Sequence, residues 1–217
     1  MGKKIPLMTT NQQMNDPRPA FGAAVRIGGR VMAAVQADQM TDPTPCAAFS
    51  VRDLMTHMVT VLRRVAGVGR GLPPLQPQFT VVGASDDGLQ ALWDEAARDV
   101  EAVWSGDGVL ERTLTLPFGQ FAGAQALAIY TGEVTLHTWD LARATAQEPS
   151  WDDQVVALAD AALRRVLPGE GRLVEFERQF AQLPPEHRPS APFGEARPVG
   201  PGASGIDRLV AFSGRRP

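Results

Sequence analysis

Apolar residues recur at steps of three and four along most of this chain, the pattern of amphipathic helices. Phe21, Ala24, Val25, Gly28, Met32 and Val35 form the first stripe. With Pro17 and Pro19 suited to a first turn, it predicts a helix over 17–37. Gly28 and Gly29 cost such a helix roughly 1 kcal/mol each against Ala, which close approach of a neighbouring helix would explain. A second stripe, Val51, Leu54, Met58, Val61, Leu62 and Val65, predicts a helix over 50–69. Ser50 and Asp53 resemble a capping box at its start. Gly67, Gly69 and Gly71 end it. The string GVGRG at 67–71 loosely resembles a phosphate-cradling loop but follows a helix rather than a strand, so the helix-terminus reading is preferred.

Residues 71–84 are proline-rich and longer than a hairpin between helices needs. Such a length permits a crossover, with the second and third helices parallel. Ser85-Asp86-Asp87 supplies an acidic start for a third helix over 86–105, striped by Leu89, Leu92, Trp93, Ala96, Val100 and Val103. The alternation and glycine turn of 110–121 are compatible with one short hairpin. A fourth helix over 122–146 carries the seam Leu127, Tyr130, Val134, His137, Leu141. A fifth is predicted over 152–167 and a short closing helix over 205–212. The expected organisation is a flexible tail over 1–16, a helical bundle over 17–167, and an irregular C-terminal extension over 168–217 packed on the bundle.

Composition narrows the class. A chain of 217 residues with 44% hydrophobic residues can build a full core. Formal net charge is −3, and Arg63-Arg64 and Arg164-Arg165 are isolated pairs rather than a stripe, which disfavours nucleic acid. No run approaches the roughly 20 apolar residues of a membrane span, and the start of the chain lacks the apolar stretch of a signal peptide. The single cysteine, Cys46, excludes an internal disulfide framework. A soluble cytoplasmic protein is expected, without nucleic-acid or membrane partners; a homodimer is left open.

The candidate chemistry lies in the few histidines. There are three, and two of them fall inside apolar-striped helical segments. His57 lies three residues after Leu54 and four before Val61, so it faces or borders the core. Glu133 and His137, four residues apart, project from one face of the fourth helix. Two imidazoles and a carboxylate make a three-ligand set for a divalent metal with positions left open. Periodicity alone leaves this level with a pair of core histidines satisfied by neighbours. Buried together, however, such groups incur a desolvation cost unless paired or metal-bound. Zn²⁺ is the first choice for imidazole plus carboxylate; Ni²⁺ and Co²⁺, and more weakly Fe²⁺ and Mn²⁺, are permitted by the affinity order. Asp140 either orients a ligand imidazole from behind or binds Arg143 or a backbone N–H. Cys46 is compatible with a reactive thiol at a helix N-terminus, but a small buried loop residue is the favoured reading. Trp139 reads as packing, and His187, in a proline-rich loop, as solvated.

Five strings together resemble a known family. They are PTPCAAFSVRDLMTH at 43–57, TLPFG at 115–119, EVTLHTWDLARAT at 133–145, FGEARPV at 193–199 and DRLVAFSGRRP at 207–217. In these the chain resembles the actinobacterial-type DinB-like proteins, related to the metal-binding domain of mycothiol-dependent maleylpyruvate isomerase. The resemblance covers 17–217. It implies an all-α fold, a DinB-like four-helix bundle with an up-down-down-up path. It also implies a metal site of one histidine on the second helix and two ligands four residues apart on the fourth: His57, Glu133 and His137. The isomerase carries a sizeable second domain where only residues 168–217 follow here, and the common Ala-Thr-Gly after the WDLAR string ends in Ala146.

The function this implies is a metal-dependent S-transferase or isomerase. It would use a low-molecular-weight thiol of the mycothiol or bacillithiol type as cosubstrate, on a small electrophilic substrate. The thiol comes from the resemblance, the open metal site from the residues. Two alternatives stand beside it: a metal-dependent hydrolase on the same site, and a catalytically silent binding or stress-response module.

Overall fold

A computed structural model describes residues 16–47, 49–184, 187 and 191–217; the tail expected over 1–16 lies almost wholly outside the described residues. Among the described residues eight α-helices and one hairpin follow in order: α1 Arg18–Ala33, α2 Val51–Gly69, α3 Leu89–Trp104, α4 Asp107–Glu111, β1 Thr113–Leu116, β2 Gly119–Ala122, α5 Gly123–Ala144, α6 Asp153–Val166, α7 Arg172–Gln179 and α8 Gly205–Phe212. The protein is all-α with one short antiparallel hairpin, Thr113 opposite Ala122 and Leu116 opposite Gly119.

The helix path is up-down-down-up. At their starts, Arg52 of α2 donates to Asp86 just before α3 (2.6 Å). Near their ends, Trp104 Nε1 of α3 donates to the Val65 carbonyl of α2 (3.1 Å). These two helices are therefore parallel, as the long 71–84 connection predicts. Helix α1 runs against α3: Arg18 donates to the Ser105 carbonyl (2.9 Å), while Gly29 lies against Trp93. It runs with α5, since Gly28 lies beside Thr138 and Gln147 Nε2 donates to the Val31 carbonyl (3.0 Å).

Local chemistry sets the boundaries. Ser50 Oγ accepts from Asp53 N–H (3.2 Å) and Ser50 N–H donates to Asp53 Oδ2 (3.1 Å), which completes the capping box at α2. Two helices are shorter than their stripes predict. Helix α1 stops at Ala33 because Gln36 is extended and donates its N–H to Gln39 Oε1 (3.0 Å), starting a separate turn. Residues 86–88 likewise form a single tight turn before α3. The glycines are where side chains cross. A Cβ on Gly28 or Gly29 would lie 3.0 or 2.9 Å from the Trp93 indole, and one on Gly67 only 2.1 Å from Phe79. The 67–71 glycines thus belong to helix packing and a turn, not to a phosphate loop.

Helix α5 is central. Of its 22 residues, 16 are buried, because it is covered on two sides. One face joins the bundle core through Leu127, Tyr130, Val134 and Leu141. The other carries Leu136 and Trp139 against Val156, Ala159 and Leu163 of α6 and Leu209, Val210 and Phe212 of α8. Each large side chain sealed here contributes roughly 1.5–3 kcal/mol. Helix α7 departs from the irregular extension expected after Pro168. Its first backbone N–H groups are capped from far along the chain: Gly171 and Leu173 N–H both donate to Glu195 (3.0 Å each). Arg172 anchors it by donating to the Gly194 carbonyl (3.1 Å) and lying 4.3 Å over the Phe212 ring.

Candidate metal centre

His57 projects from the middle of α2 and Glu133 and His137 from successive turns of α5, so the antiparallel pairing of these helices brings all three to one level. Their donor atoms lie within 4.8 Å of one another. His57 Nε2 is 3.8 Å from Glu133 Oε1. The two imidazoles meet edge to face, centroids 4.9 Å apart at 84°. On its other side His57 stacks on Phe49, centroids 4.9 Å apart at 26°. The three side chains are 14–27% exposed, so the cluster is open to a small molecule while its ring faces are covered.

The electrostatics favour a neutral imidazole at His57. Burial, with the nearby His137 and Arg64, pushes His57 down to about 3. At neutral pH the His57–Glu133 contact is then not an ion pair but two lone-pair donors facing one space. Glu133 Oε1 also lies 3.8 Å from Arg64 Nη1, a guanidinium that the second helix's stripe does not single out.

Behind His137 sits Asp140, fully buried. Its Oδ2 is 3.3 Å from His137 Nδ1. Arg215, from the end of the chain, grips the same carboxylate with Nε on Oδ1 (2.7 Å) and Nη2 on Oδ2 (2.8 Å). Burial alone would raise Asp140, yet the hydrogen bonds from His137 and Arg215 outweigh it and hold the carboxyl below its ordinary value. An ionised Asp140 accepts from a protonated Nδ1, which leaves Nε2 of His137 as the lone-pair donor. Of the two sequence readings for Asp140, the structure gives the imidazole contact. Arg143 instead lies over the Trp139 ring, 5.7 Å from its centroid. Cys46, half-buried, has its sulfur within 4.8 Å of donor atoms of His137 and Asp140. His187 is exposed and belongs to neither cluster.

Around one tetrahedral ion with bonds of ~2.1 Å, neighbouring donors sit roughly 3.4 Å apart. The 3.8 Å between His57 and Glu133 is a few tenths wider, within reach of small side-chain rotations. One carboxylate and two neutral imidazoles are a hard-to-borderline set, suited to Zn²⁺ and its neighbours. Close by, the buried Tyr130 hydroxyl has no hydrogen-bond partner among the described residues. Burial, then the Glu133 charge, push that hydroxyl upward, so it stays protonated and can donate. A buried donor without an acceptor among the described residues, close enough to Glu133 to feel its charge, fits a site that takes a ligand.

A DinB-type helical bundle presenting a His-Glu-His set is the class that fold and site define. The chain belongs to the mycothiol maleylpyruvate isomerase N-terminal domain family, whose model matches residues 21–142. Two relatives, uncharacterized proteins from two strains of Mycobacterium tuberculosis, are each 31% identical over 202 residues, covering 92% of this chain and 98% of the relative. No solved structure matches the chain. The family points to mycothiol-related, isomerase-like chemistry. Among the described residues no helix is long and apolar enough to cross a membrane.

Proposed function

We propose that this protein is a metal-dependent enzyme that uses a low-molecular-weight thiol of the mycothiol type on a small electrophilic substrate, as an S-transferase or isomerase. The observation that carries the reading is the convergence of His57, Glu133 and His137 from two helices onto one half-open space in a chain of this family. These three residues would hold the divalent ion, zinc being the first choice. Bound there, a divalent cation supplies positive charge that favours thiolate over thiol at neutral pH.

The chain's own residues prepare that chemistry. Phe49 covers one face of His57, excludes water from it and keeps the imidazole neutral. Asp140 holds the proton of His137 on Nδ1 and turns Nε2 towards the shared space, and Arg215 fixes Asp140 in turn. Tyr130 offers a hydroxyl proton to an oxygen or sulfur entering the site. Arg64, 3.8 Å from Glu133, sets a fixed positive charge at the rim and orients an incoming anionic group.

The test is a comparison of rates. Zinc-loaded protein should accelerate conjugation of mycothiol to a small electrophile, and His137→Ala should abolish both tight metal binding and the acceleration. Rates that need metal but ignore the thiol would replace this reading by the hydrolase. Rates indifferent to both would leave a binding module. A thiol should also shift the visible spectrum of the cobalt-substituted protein as sulfur joins the ligands; an unchanged spectrum at saturating thiol counts against it.

A further inference from the structure

Four arginines that are far apart in the sequence meet in one groove. Arg143 of α5, Arg197, Arg215 and Arg216 line an open cleft of about 710 Å³ together with Asp42, Pro43, Thr44, Pro45 and Trp139. They do not carry equal free charge. Arg215 is neutralised by Asp140 and spends its last nitrogen on Ser213 Oγ (3.1 Å). Among the described residues the Arg197 side chain gives only Nε, to the Gly214 carbonyl (2.6 Å). Arg143 makes a ring contact with Trp139 and no ion pair among the described residues. Arg216 is exposed and likewise has no carboxylate partner among them. Three guanidiniums thus share the lining with one carboxylate, Asp42, which leaves an excess of two positive charges among the lining side chains, in a protein whose overall charge is −3.

We infer that this groove is a second small-molecule site, distinct from the metal donors, for an oxyanion of two negative charges, of which a phosphate monoester is the class that fits. A phosphomonoester carries about −1.5 to −2 at neutral pH and three acceptor oxygens, which matches both the excess charge and the number of uncommitted guanidiniums. Guanidinium forks bind such oxygens in pairs. Two of the guanidiniums are held in place: Arg143 is braced by the Trp139 ring and Arg197 by its bond to Gly214. It also adjoins the candidate metal centre. Pro45 precedes Cys46, whose sulfur is within 4.8 Å of donor atoms of His137 and Asp140, and Arg215 is shared by both places. A ligand held here by its anionic end can extend the rest of its length towards His137. The groove's arginines lie outside the metal donor set, and their charge is present whether or not an ion binds there.

The experiment is isothermal titration of the full chain, treated with a chelator, with inorganic phosphate and with glucose 1-phosphate at constant ionic strength set by chloride. Saturable binding of either phosphate, with none to glucose, is expected. Arg143→Gln and Arg216→Gln remove exposed cations that have no ion pair among the described residues, and each should weaken binding about tenfold. Arg98→Gln, on α3 across the bundle from α5, controls for net charge and should change affinity less than twofold. Tighter binding of the ester than of the free ion would assign an organic phosphate, and the reverse the inorganic ion; either supports the site. Heats no larger than those of chloride would overturn the inference. So would affinity that survives the Arg143→Gln/Arg216→Gln double variant, or that is lost instead in His137→Ala.

Discussion

Arg215→Met is the sharpest perturbation of the site's support. Asp140 is fully buried, and Arg215, only 8% exposed, holds it through two hydrogen bonds of 2.7 and 2.8 Å. Methionine keeps part of the apolar stem and removes the charge. The carboxylate is then left buried with His137 alone, at 3.3 Å. Breaking one partner of a buried pair costs about 3–5 kcal/mol, because an uncompensated charge remains. For a chain of this size that is a fall in melting temperature of about 6–20 °C. Burial, no longer opposed by the guanidinium, should also drive the Asp140 carboxyl upward, so that part of the protein protonates it and no longer fixes Nδ1–H of His137. Zinc affinity should drop ~10–100-fold, the usual effect of losing a partner that orients a ligand imidazole. Urea denaturation at pH 7 measures the first effect and competition with a zinc-chelating dye the second. A double-mutant cycle with Asp140→Asn separates the pair from its surroundings. The Asn variant has no charge to strand, so adding Arg215→Met should cost at least about 1 kcal/mol less there than in the wild type. Arg215→Met within about 1 kcal/mol of wild type, or strictly additive losses, would refute the clamp.

Two further outcomes follow from particular contacts. Gly67→Ala would set a Cβ 2.1 Å from the Phe79 ring, so the 77–79 turn must move off α2; a loss of about 1–3 kcal/mol is expected in urea titration, and a neutral substitution would show that Phe79 does not pack there as described. In metal-free protein His57 stays neutral to about 3, whereas in the unfolded chain it takes a proton near 6.5. Below 6.5 the unfolded chain therefore binds more protons, and stability that is fully present above that value is lost as pH falls towards 3. Urea midpoints between pH 7.5 and 4.5, with chelator present, should fall for the wild type and fall less for His57→Gln; equal slopes would mean that His57 is not held neutral.

The helices were largely legible because each has a face that must be buried. Leu54, Met58, Val61 and Val65 announce α2, and the Ser50–Asp53 box announces its start. The parallel pairing of α2 and α3 was legible too, from a connection too long for a hairpin. His57, Glu133 and His137 could be picked out because few histidines compete and because spacing on a helix fixes direction. What the sequence hid was decided by partners distant along the chain. The N-terminus of α7 is capped by Glu195, more than twenty residues away, so no local signal marks it. Arg64 reads as one of an arginine pair on a helix face, and only the crossing of α2 and α5 brings it to Glu133.

Asp140 shows most clearly where local reading stops. On α5 its nearest cation in sequence is Arg143, and a helix can pair such neighbours. A fully buried carboxylate, however, needs a partner that arrives with its own hydrogen bonds and shares its desolvation. Arg143 is exposed and turned onto Trp139, whereas Arg215 comes in under α8, whose Leu209, Val210 and Phe212 are already sealed against α5 and α6. The tail thus reaches the back of the site because the second apolar face of α5 needs covering. The same burial that closes the fold delivers the guanidinium that sets His137. Truncation before Arg215 should therefore reproduce Arg215→Met in zinc affinity even where α8 remains docked. A truncated protein that binds zinc as tightly as the full chain would separate the tail from the site.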